Sequence, residues 1–278
     1  MAVPKDNLNY MKGDMANLFS VAGKVALVTG GSRGIGEMIA AGFLAGGAKV
    51  YISSRKADVC NATAERLSND FEGECVSLPA DLSGVKGCQA LADAVAEREG
   101  KLDILVNNAG VSWGAPLDEF PEDGWDKVFD TNVKGVFFLT QKLLPLLRES
   151  ATEDEPARVI NIGSIDGIKN SRWDTFSYPP AKAALHQLTR FLALHLIKED
   201  IIVNAIAPGP FPTVMLSRGV GGKGETDIDW SKVGRGNPRK RMGTPEDIAG
   251  LAIFLSSRAG AFTVGEVITC DGGIVYAS

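Results

Sequence analysis

The sequence has few of the residues that bind metals or form disulfides. It contains two histidines and four cysteines, and no two cysteines have the CxxC spacing of a zinc or redox site. This scarcity argues against a structural zinc site and predicts reduced, partly buried thiols in a cytoplasmic protein. His186 and His195 have no third metal ligand near them in the sequence, so we interpret both as packing or surface residues.

Long apolar runs and strong charge of one sign are also missing. No apolar stretch approaches the length that crosses a bilayer, and residues 1–23 lack the apolar segment of a secretory signal. We predict that residues 1–23 form a flexible or subunit-contacting arm. The net charge is −5 and the longest basic cluster, residues 235–241, is short, which argues against nucleic-acid binding.

What is present favours one globular domain over residues 24–278, because no linker or repeat divides the chain. Apolar strand-like runs alternate with segments of helical periodicity. This alternation predicts an α/β protein, a single-domain Rossmann fold with a doubly wound parallel sheet of about seven strands and helices on both faces. The predicted strands lie near residues 25–29, 48–53, 74–79, 102–107, 157–163, 201–206 and 265–270, and the predicted helices near 35–46, 58–70, 84–98, 122–148, 179–198 and 244–257.

The first predicted strand ends in a glycine-rich turn that leads into a helix. Gly30, Gly34 and Gly36 let the backbone approach a ligand closely. The N-terminus of the following helix offers free N–H donors and a partial positive charge, which favour a pyrophosphate. With a strand before it and a helix after it, the turn predicts a dinucleotide cradle.

The end of the second strand indicates which dinucleotide binds. A carboxylate there would bind the free 2′-OH of NAD and repel a 2′-phosphate, but the strand ends in Ser54 and Arg55. Arg33 and Arg55 together would suit the 2′-phosphate of NADPH, because guanidinium groups bind phosphate bidentately. The alternative is two ordinary surface arginines. At the third strand, Asp81 would either accept from the adenine amino group or cap the next helix.

Residues with catalytic chemistry follow the later strands. Ser164 ends the fifth strand at the carboxyl edge of the sheet, where ligands bind in such folds. Tyr178 and Lys182 share one helix face, so the ammonium should lower the pKa of the phenol below its usual value of about 10. Such a phenol can protonate a carbonyl oxygen that Ser164 holds. Taken singly, the Tyr-x-x-x-Lys spacing is also common in surface helices.

Residues 20–278 resemble the short-chain dehydrogenase/reductase family throughout. The matching motifs are Thr29-Gly-Gly-Ser-Arg-Gly-Ile-Gly36, Asn107-Asn-Ala-Gly110, Asn132, Ser164, Tyr178-x-x-x-Lys182, Pro208-Gly209 with Thr213, and Asp271-Gly-Gly273. The resemblance implies that Tyr178 is the general acid/base and that Lys182 tunes it and contacts the nicotinamide ribose. It implies that Ser164 orients the substrate, that Asn132 completes a proton relay through water and that Thr213 meets the nicotinamide carboxamide. It also implies a homotetramer or homodimer.

These observations define a predicted site for NADPH/NADP+ without a metal ion. The predicted catalytic residues are Asn132, Ser164, Tyr178 and Lys182. The predicted cofactor contacts are Gly30, Ser32, Arg33, Gly34, Ile35, Gly36, Ser54, Arg55, Asp81, Leu82, Asn108, Ala109, Gly110, Tyr178, Lys182, Pro208, Gly209 and Thr213.

The substrate side is indicated by a long glycine-rich segment near residues 209–238, which we predict to be a lid. Apolar and basic residues in or beside it would suit an acyl chain carried on phosphopantetheine or on an acidic carrier protein. Residues 112–116, 143–147, 157–164 and 207–212 are most similar to 3-oxoacyl-[acyl-carrier-protein] reductases, especially the branch associated with rhamnolipid synthesis.

We therefore predict an NADPH-dependent reductase that converts a ketone, with a 3-oxoacyl thioester as the leading substrate, to a secondary alcohol. The alternatives are an alcohol, sugar-acid or steroid dehydrogenase of the same family, and a cofactor-binding regulator without chemistry. The sequence departs from the family where Pro179 and Pro180 follow Tyr178. The loop before Tyr178 is slightly longer than in many members and carries Trp173 and Phe176, which indicates a reshaped substrate entrance.

Overall fold

The computed structural model describes residues 17–222 and 224–278. Seven strands form one parallel sheet in the order β3-β2-β1-β4-β5-β6-β7. Because the chain moves outward from β1 to β3 and then returns to place β4 beside β1, the carboxyl ends of β1 and β4 flank a crevice where ligands bind in such sheets. The strands are β1 (Val25–Thr29), β2 (Lys49–Ser53), β3 (Cys75–Ser77), β4 (Ile104–Asn107), β5 (Ala157–Ile162), β6 (Ile201–Pro208) and β7 (Val267–Cys270).

Helices cover both faces of the sheet, and each face has its own apolar core. On one face, Val28 packs with residues of α1 and α9; on the other, Leu27 packs with residues of α3, α5 and α6. Adjacent strand residues point to opposite faces, so both are buried and the strands read as continuous apolar runs. The helices are α1 (Gly34–Ala45), α2 (Ala57–Phe71), α3 (Val85–Ala96), α4 (Glu122–Phe129), α5 (Gly135–Ser150), α6 (Tyr178–Leu196), α7 (Val214–Gly219), α8 (Trp230–Gly234) and α9 (Pro245–Ser256).

The predicted α/β fold is confirmed, and two segments differ from the sequence-based expectation. The helix predicted over residues 122–148 is two α-helices joined by a π-helical turn, Asp130–Lys134. The segment near residues 209–238, where no helix was predicted, contains the short helices α7 and α8. Its role as a lid stays a prediction. In the described residues, no helix is long and apolar enough to cross a membrane.

The predicted N-terminal arm is only partly described, since residues 1–16 lie outside the described residues. In the described part of this segment, Leu18 and Val21 contact the domain. The Leu18 carbonyl accepts a hydrogen bond from Ala259 N at 3.0 Å, and Val21 is buried. The four cysteines are free thiols and three of them are buried, which confirms the prediction of unpaired, partly buried cysteines.

A chain of polar side chains joins the middle of the sheet to the helices beneath the carboxyl edge. Asn107 Nδ2 donates to Thr140 Oγ1 of α5 at 3.1 Å and to Asn161 Oδ1 of β5 at 2.9 Å. Asn161 Nδ2 in turn donates to Thr189 Oγ1 of α6 at 2.9 Å. All four side chains are buried. These contacts fix α6, which carries Tyr178 and Lys182, against the two central strands.

Candidate active site

The glycine turn after β1 has the backbone that a phosphate cradle needs. Gly30 and Gly34 have φ values of +63° and +57°, a conformation that side chains disfavour. A Cβ at Gly36 would lie 2.3 Å from Asn108 Nδ2 and 2.4 Å from the Gly30 carbonyl oxygen, so only glycine fits. No side chain caps the start of α1, which leaves its first N–H groups available to a ligand. The predicted cradle therefore fits a dinucleotide pyrophosphate.

The ends of β1 and β4 are joined by the Thr29 side chain. Thr29 Oγ1 accepts hydrogen bonds from the N–H groups of Asn108 at 2.9 Å and Ala109 at 3.0 Å. Asn108 Nδ2 donates to the carbonyls of Thr29 and Gly30 at 2.9 and 3.2 Å. The side chains of Thr29 and Asn108 thus join β1 to β4 and place residues 108–110 beside the glycine turn.

Two arginines lie where the predicted 2′-phosphate site would be. Gly31 N donates to the Ser53 carbonyl at 3.2 Å, which holds the glycine turn against the end of β2. Arg33 in the turn and Arg55 after β2 are both exposed. Within the described ranges, neither has a carboxylate oxygen within 4.0 Å. Their cationic groups are therefore available to an anion, and their joint contact with a phosphate stays a prediction.

The contacts of Asp81 exclude one of its two predicted roles, that of a helix cap. Its Oδ1 accepts a hydrogen bond from Ser83 N at 3.0 Å, so the carboxylate closes a local turn. The N-cap of α3 is Gly84, and no side chain caps this helix. The helix-capping alternative for Asp81 is therefore wrong. The Ser83 N–H lowers the pKa of Asp81, and the Arg55 charge adds to this effect. Asp81 remains exposed, whereas the next predicted contact, Leu82, is buried.

Asn132 lies in the π-helical turn between α4 and α5, which explains a polar residue within an apolar helical stretch. Its side chain is fully buried and pairs with the backbone of Val111: Oδ1 accepts from Val111 N and Nδ2 donates to Val111 O, both at 2.9 Å. A Cβ on Gly110 would lie 3.3 Å from Asn132 Oδ1 and 3.7 Å from Lys182 Nζ. Asn132, Gly110 and Lys182 therefore meet at one point, and π turns often mark functional sites.

Ser164, Tyr178 and Lys182 form the center of the candidate active site. Ser164 follows β5, and its Oγ accepts a hydrogen bond from Asp166 N at 3.1 Å. Tyr178 begins α6, and Lys182 lies one turn later with Nζ 5.6 Å from the centroid of the Tyr178 ring. The Lys182 ammonium donates to the Ile162 carbonyl at 2.7 Å. The predicted proximity of Lys182 to Tyr178 is present.

The expected direction of the Tyr178 pKa shift is wrong. Burial raises the pKa of the phenol to about 12; the Ser164 hydroxyl opposes this rise and the Asp166 charge adds to it. Burial also lowers the pKa of the Lys182 ammonium to about 8. The physical reason is desolvation, which disfavours phenolate and ammonium alike. The Lys182 ammonium donates to the Ile162 carbonyl, and the effect of its charge on the phenol is outweighed by burial.

His186 supports Ser164 from the next turn of α6, a role that its isolated position in the sequence did not reveal. Its Nε2 accepts a hydrogen bond from Ser164 N at 3.4 Å. A Cβ on Gly163 would lie 2.1 Å from this nitrogen, so the imidazole needs glycine there. Burial, with the Lys182 and Arg190 charges, lowers the pKa of His186 to about 4, and the neutral ring can accept. The interpretation as a buried packing residue holds, with this added hydrogen bond.

The segment after β6 completes the edge. Pro208 ends the strand, and a Cβ on Gly209 would lie 2.7 Å from the Asp271 Cα, so the two predicted motifs pack together. Thr213 caps α7 by accepting from Leu216 N at 3.2 Å. Its methyl carbon would lie 3.2 Å from a Cβ on Gly34, which places α7 beside the glycine turn. The predicted residues thus gather at the carboxyl edge of the sheet.

Comparison with known proteins identifies the family. A family model described as Enoyl-(Acyl carrier protein) reductase matches residues 30–275. Over 255 residues the chain is 51% identical to the rhamnolipids biosynthesis 3-oxoacyl-[acyl-carrier-protein] reductase of Pseudomonas aeruginosa, covering 92% of this chain and 97% of that protein. The chain belongs to the short-chain dehydrogenase/reductase family. It is an oxidoreductase, as the resemblance of its motifs implied.

Two further comparisons concern a solved structure and a sugar-acid dehydrogenase. The Pseudomonas aeruginosa RhlG/NADP active-site complex superposes with a TM-score of 0.87 at 50% identity, covering 93% of this chain and 99% of that chain. The gluconate 5-dehydrogenase of Gluconobacter oxydans is 36% identical over 261 residues, covering 93% of this chain and 97% of that protein.

Proposed function

We propose that this protein is an NADPH-dependent reductase that converts the 3-keto group of a 3-oxoacyl thioester to a secondary alcohol. The observation that carries the proposal is that Ser164, Tyr178 and Lys182 meet at the sheet edge that also bears the glycine turn. Support for the substrate class comes from the 51% identity to a protein named as a 3-oxoacyl-[acyl-carrier-protein] reductase.

The glycine turn, the 108–110 segment and Thr213 would hold the cofactor, with Arg33 and Arg55 at its 2′-phosphate. When bound, NADPH supplies the hydride that the carbonyl carbon accepts. The fit is supported by the glycine positions where a Cβ would collide with Asn108 and by two arginines without carboxylate partners in the described part of the chain. The NADP complex of the Pseudomonas aeruginosa relative agrees with this choice.

The phenol of Tyr178 supplies the proton in this reaction. With a pKa raised to about 12, it is protonated at neutral pH and can donate to the carbonyl oxygen as that oxygen gains negative charge. The Ser164 hydroxyl holds the same oxygen, and His186 keeps Ser164 in place. Lys182 and Asn132 stand behind the phenol, where a relay through water would return its proton.

The surroundings of the site support an acyl substrate on a phosphorylated carrier. Trp173 and Met215 are large apolar side chains that stay exposed. Arg172 and Arg218, the neighbours of Trp173 and Gly219, have no carboxylate oxygen within 4.0 Å among the described residues. Apolar surface beside free cations suits an acyl chain linked to phosphopantetheine, with an acyl carrier protein as the partner. Free thiols support a cytoplasmic location.

Self-association is part of the proposal. Phe191 and Leu194 on α6 are 56% and 67% exposed. Two large apolar side chains on consecutive turns of one helix favour a contact with a second copy of the chain, in a homotetramer or homodimer.

A second candidate function is oxidation or reduction of a sugar acid or steroid. It is favoured by 36% identity to a gluconate 5-dehydrogenase and 33% identity to a 7alpha-hydroxysteroid dehydrogenase of Escherichia coli. A regulator without chemistry is disfavoured, because the candidate proton donor and its supporting residues are all in place.

The test is a panel of ketones assayed by loss of NADPH absorbance, with wild-type protein and the Tyr178→Phe variant. Acetoacetyl and longer 3-oxoacyl thioesters should be reduced, whereas 5-ketogluconate and a 7-oxosteroid should not. Loss of the proton donor should slow turnover by about 10²-fold or more and spare NADPH binding, measured by fluorescence. Turnover of the sugar acid or steroid alone would overturn the substrate assignment, and full activity of Tyr178→Phe would overturn the role of the phenol.

A further inference from the structure

The loop between Ser164 and Tyr178 contacts α7 through the aromatic side chain of Trp173. The six-membered ring of Trp173 lies over Gly219, the last residue of α7: a Cβ at Gly219 would be 3.3 Å from Trp173 Cζ3 and 3.4 Å from Cη2. The shorter distance is slightly tighter than ordinary van der Waals contact, so a methyl group at position 219 would require the ring to move by a few tenths of an ångström. The glycine at the end of α7 therefore lets the indole ring pack closely against the helix backbone.

Trp173 and Gly219 both belong to segments that contact residues of the candidate active site. Next to Trp173, the Asp174 carbonyl accepts from Ala115 N at 3.1 Å, and the Thr175 carbonyl accepts from Tyr178 N at 2.9 Å. On the other side, Thr213 caps the start of α7, and its methyl group adjoins Gly34 of the glycine turn. The Trp173–Gly219 contact thus joins the loop before Tyr178 to the helix that starts beside the glycine turn.

The contact leaves a large apolar surface uncovered. Trp173 is 46% exposed although one side of its ring rests on Gly219. Met215 lies four residues before Gly219, on the same face of α7, and is 42% exposed; the adjacent Val220 is 40% exposed. An exposed indole and two exposed apolar side chains on the helix that it contacts fit an apolar ligand segment.

We infer that Trp173, seated on Gly219 beside Met215, is the surface on which the acyl chain of the substrate lies, and that it sets the preference for longer chains. This inference rests on the proposed function, since it names the feature of a 3-oxoacyl thioester that the site selects. A sugar acid would leave the same surface in water. Trp173 touches no reacting atom and acts as a specificity-determining residue.

The experiment compares kcat/KM for 3-oxobutanoyl and 3-oxooctanoyl N-acetylcysteamine thioesters, so that only the chain length differs and no carrier protein contributes. Wild-type protein should prefer the octanoyl substrate. The measured ratio is kcat/KM for the 3-oxooctanoyl thioester divided by kcat/KM for the 3-oxobutanoyl thioester. Trp173→Ala should lower this ratio by about tenfold or more, the scale of discrimination by apolar contacts in a pocket. Trp173→Phe should give an intermediate ratio. Gly219→Ala should lower it by less than Trp173→Ala, because the added methyl requires the ring to move by only a few tenths of an ångström.

The matched control is Phe262→Ala, which removes a fully exposed aromatic side chain before β7, at the opposite edge of the sheet. Its ratio should equal that of the wild type. A wild-type ratio at or below one, or an unchanged ratio in Trp173→Ala and Gly219→Ala, overturns the inference while the proposed function stands. No turnover of either thioester by the wild type means that the proposed function fails. If Trp173→Ala does not fold, Trp173→Phe and Gly219→Ala decide.

Discussion

Burial moves the pKa values of Tyr178 and Lys182 in opposite directions, because it disfavours whichever form of a side chain carries charge. The sequence spacing predicted that the two would be neighbours. It could not predict the direction of the phenol shift, since spacing says nothing about burial depth or about the Ile162 carbonyl that takes the ammonium hydrogen bond. His186 was missed for a related reason: its acceptor role depends on Gly163 and Ser164, which lie on another element.

At this scale we predict a loss of reductase activity at high pH that reports on Lys182. Its ammonium, with the pKa lowered to about 8, is charged below that pH and neutral above it. A charged Lys182 stabilises the phenolate that remains after proton transfer, so kcat/KM should fall as pH rises through about 8. Tyr178, with a pKa near 12, stays protonated over this range and does not cause the fall.

The measurement is the pH profile of kcat/KM in wild-type protein and in Lys182→Arg. A guanidinium keeps its charge throughout the range, so the decline should move to higher pH in the variant even where its absolute rate is lower. The same decline near pH 8 in both proteins would show that another group titrates.

The elements of the sheet were the easiest part to predict, because parallel strands buried on both faces read as unbroken apolar runs. The predicted ends of β1 agree with the structure. The strand β6 begins where predicted and ends at Pro208 instead of near residue 206. The joint between α4 and α5 could not be predicted, since a π turn keeps helical periodicity and differs only in its hydrogen bonds. The helices α7 and α8 are too short to give a periodic signal.

The end of β2 carries a prediction about cofactor preference. Arg55→Asp replaces a cation free of carboxylate partners in the described chain with a carboxylate, which would repel a 2′-phosphate and accept from a free 2′-OH. The ratio of kcat/KM with NADPH to that with NADH should fall by about tenfold or more, the scale of a charged hydrogen bond. Arg98→Asp makes the same charge change at the end of α3 and should leave the ratio unchanged. An unaltered ratio in Arg55→Asp would exclude Arg55 from the phosphate site.

Across the whole molecule, the carboxyl ends and the amino ends of the strands carry different kinds of residues. The carboxyl edge gathers the glycine turn, Asn132, Ser164 and the start of α6. Near the opposite edge, Arg158 is the second residue of β5 and is 1% exposed, with one hydrogen bond to the Ser257 carbonyl at 3.2 Å. Its Nε and Nη1 atoms have no hydrogen-bond partner in the described residues. Burial lowers the pKa of its guanidinium, which shows the cost of this placement.

Arg158 should therefore contribute little to stability. Arg158→Met keeps an apolar stem of similar length and removes a buried charge, at the loss of one hydrogen bond. We expect its melting temperature to equal or exceed that of the wild type by a few degrees, the shift that about 1 kcal/mol produces in a domain of this size. Arg158→Lys retains the buried charge and should melt lower than Arg158→Met. The reverse order would mean that the guanidinium is well solvated or paired.

The hydrogen-bonded chain of Thr140, Asn107, Asn161 and Thr189 has a consequence for how this protein could diverge. Each amide donates to the next side chain, so replacing one member with an apolar residue strands a polar group in a dry interior. Substitutions at these four positions should consequently be coupled during evolution. A lineage that replaces Thr189 with an apolar residue is expected to replace Asn161 as well.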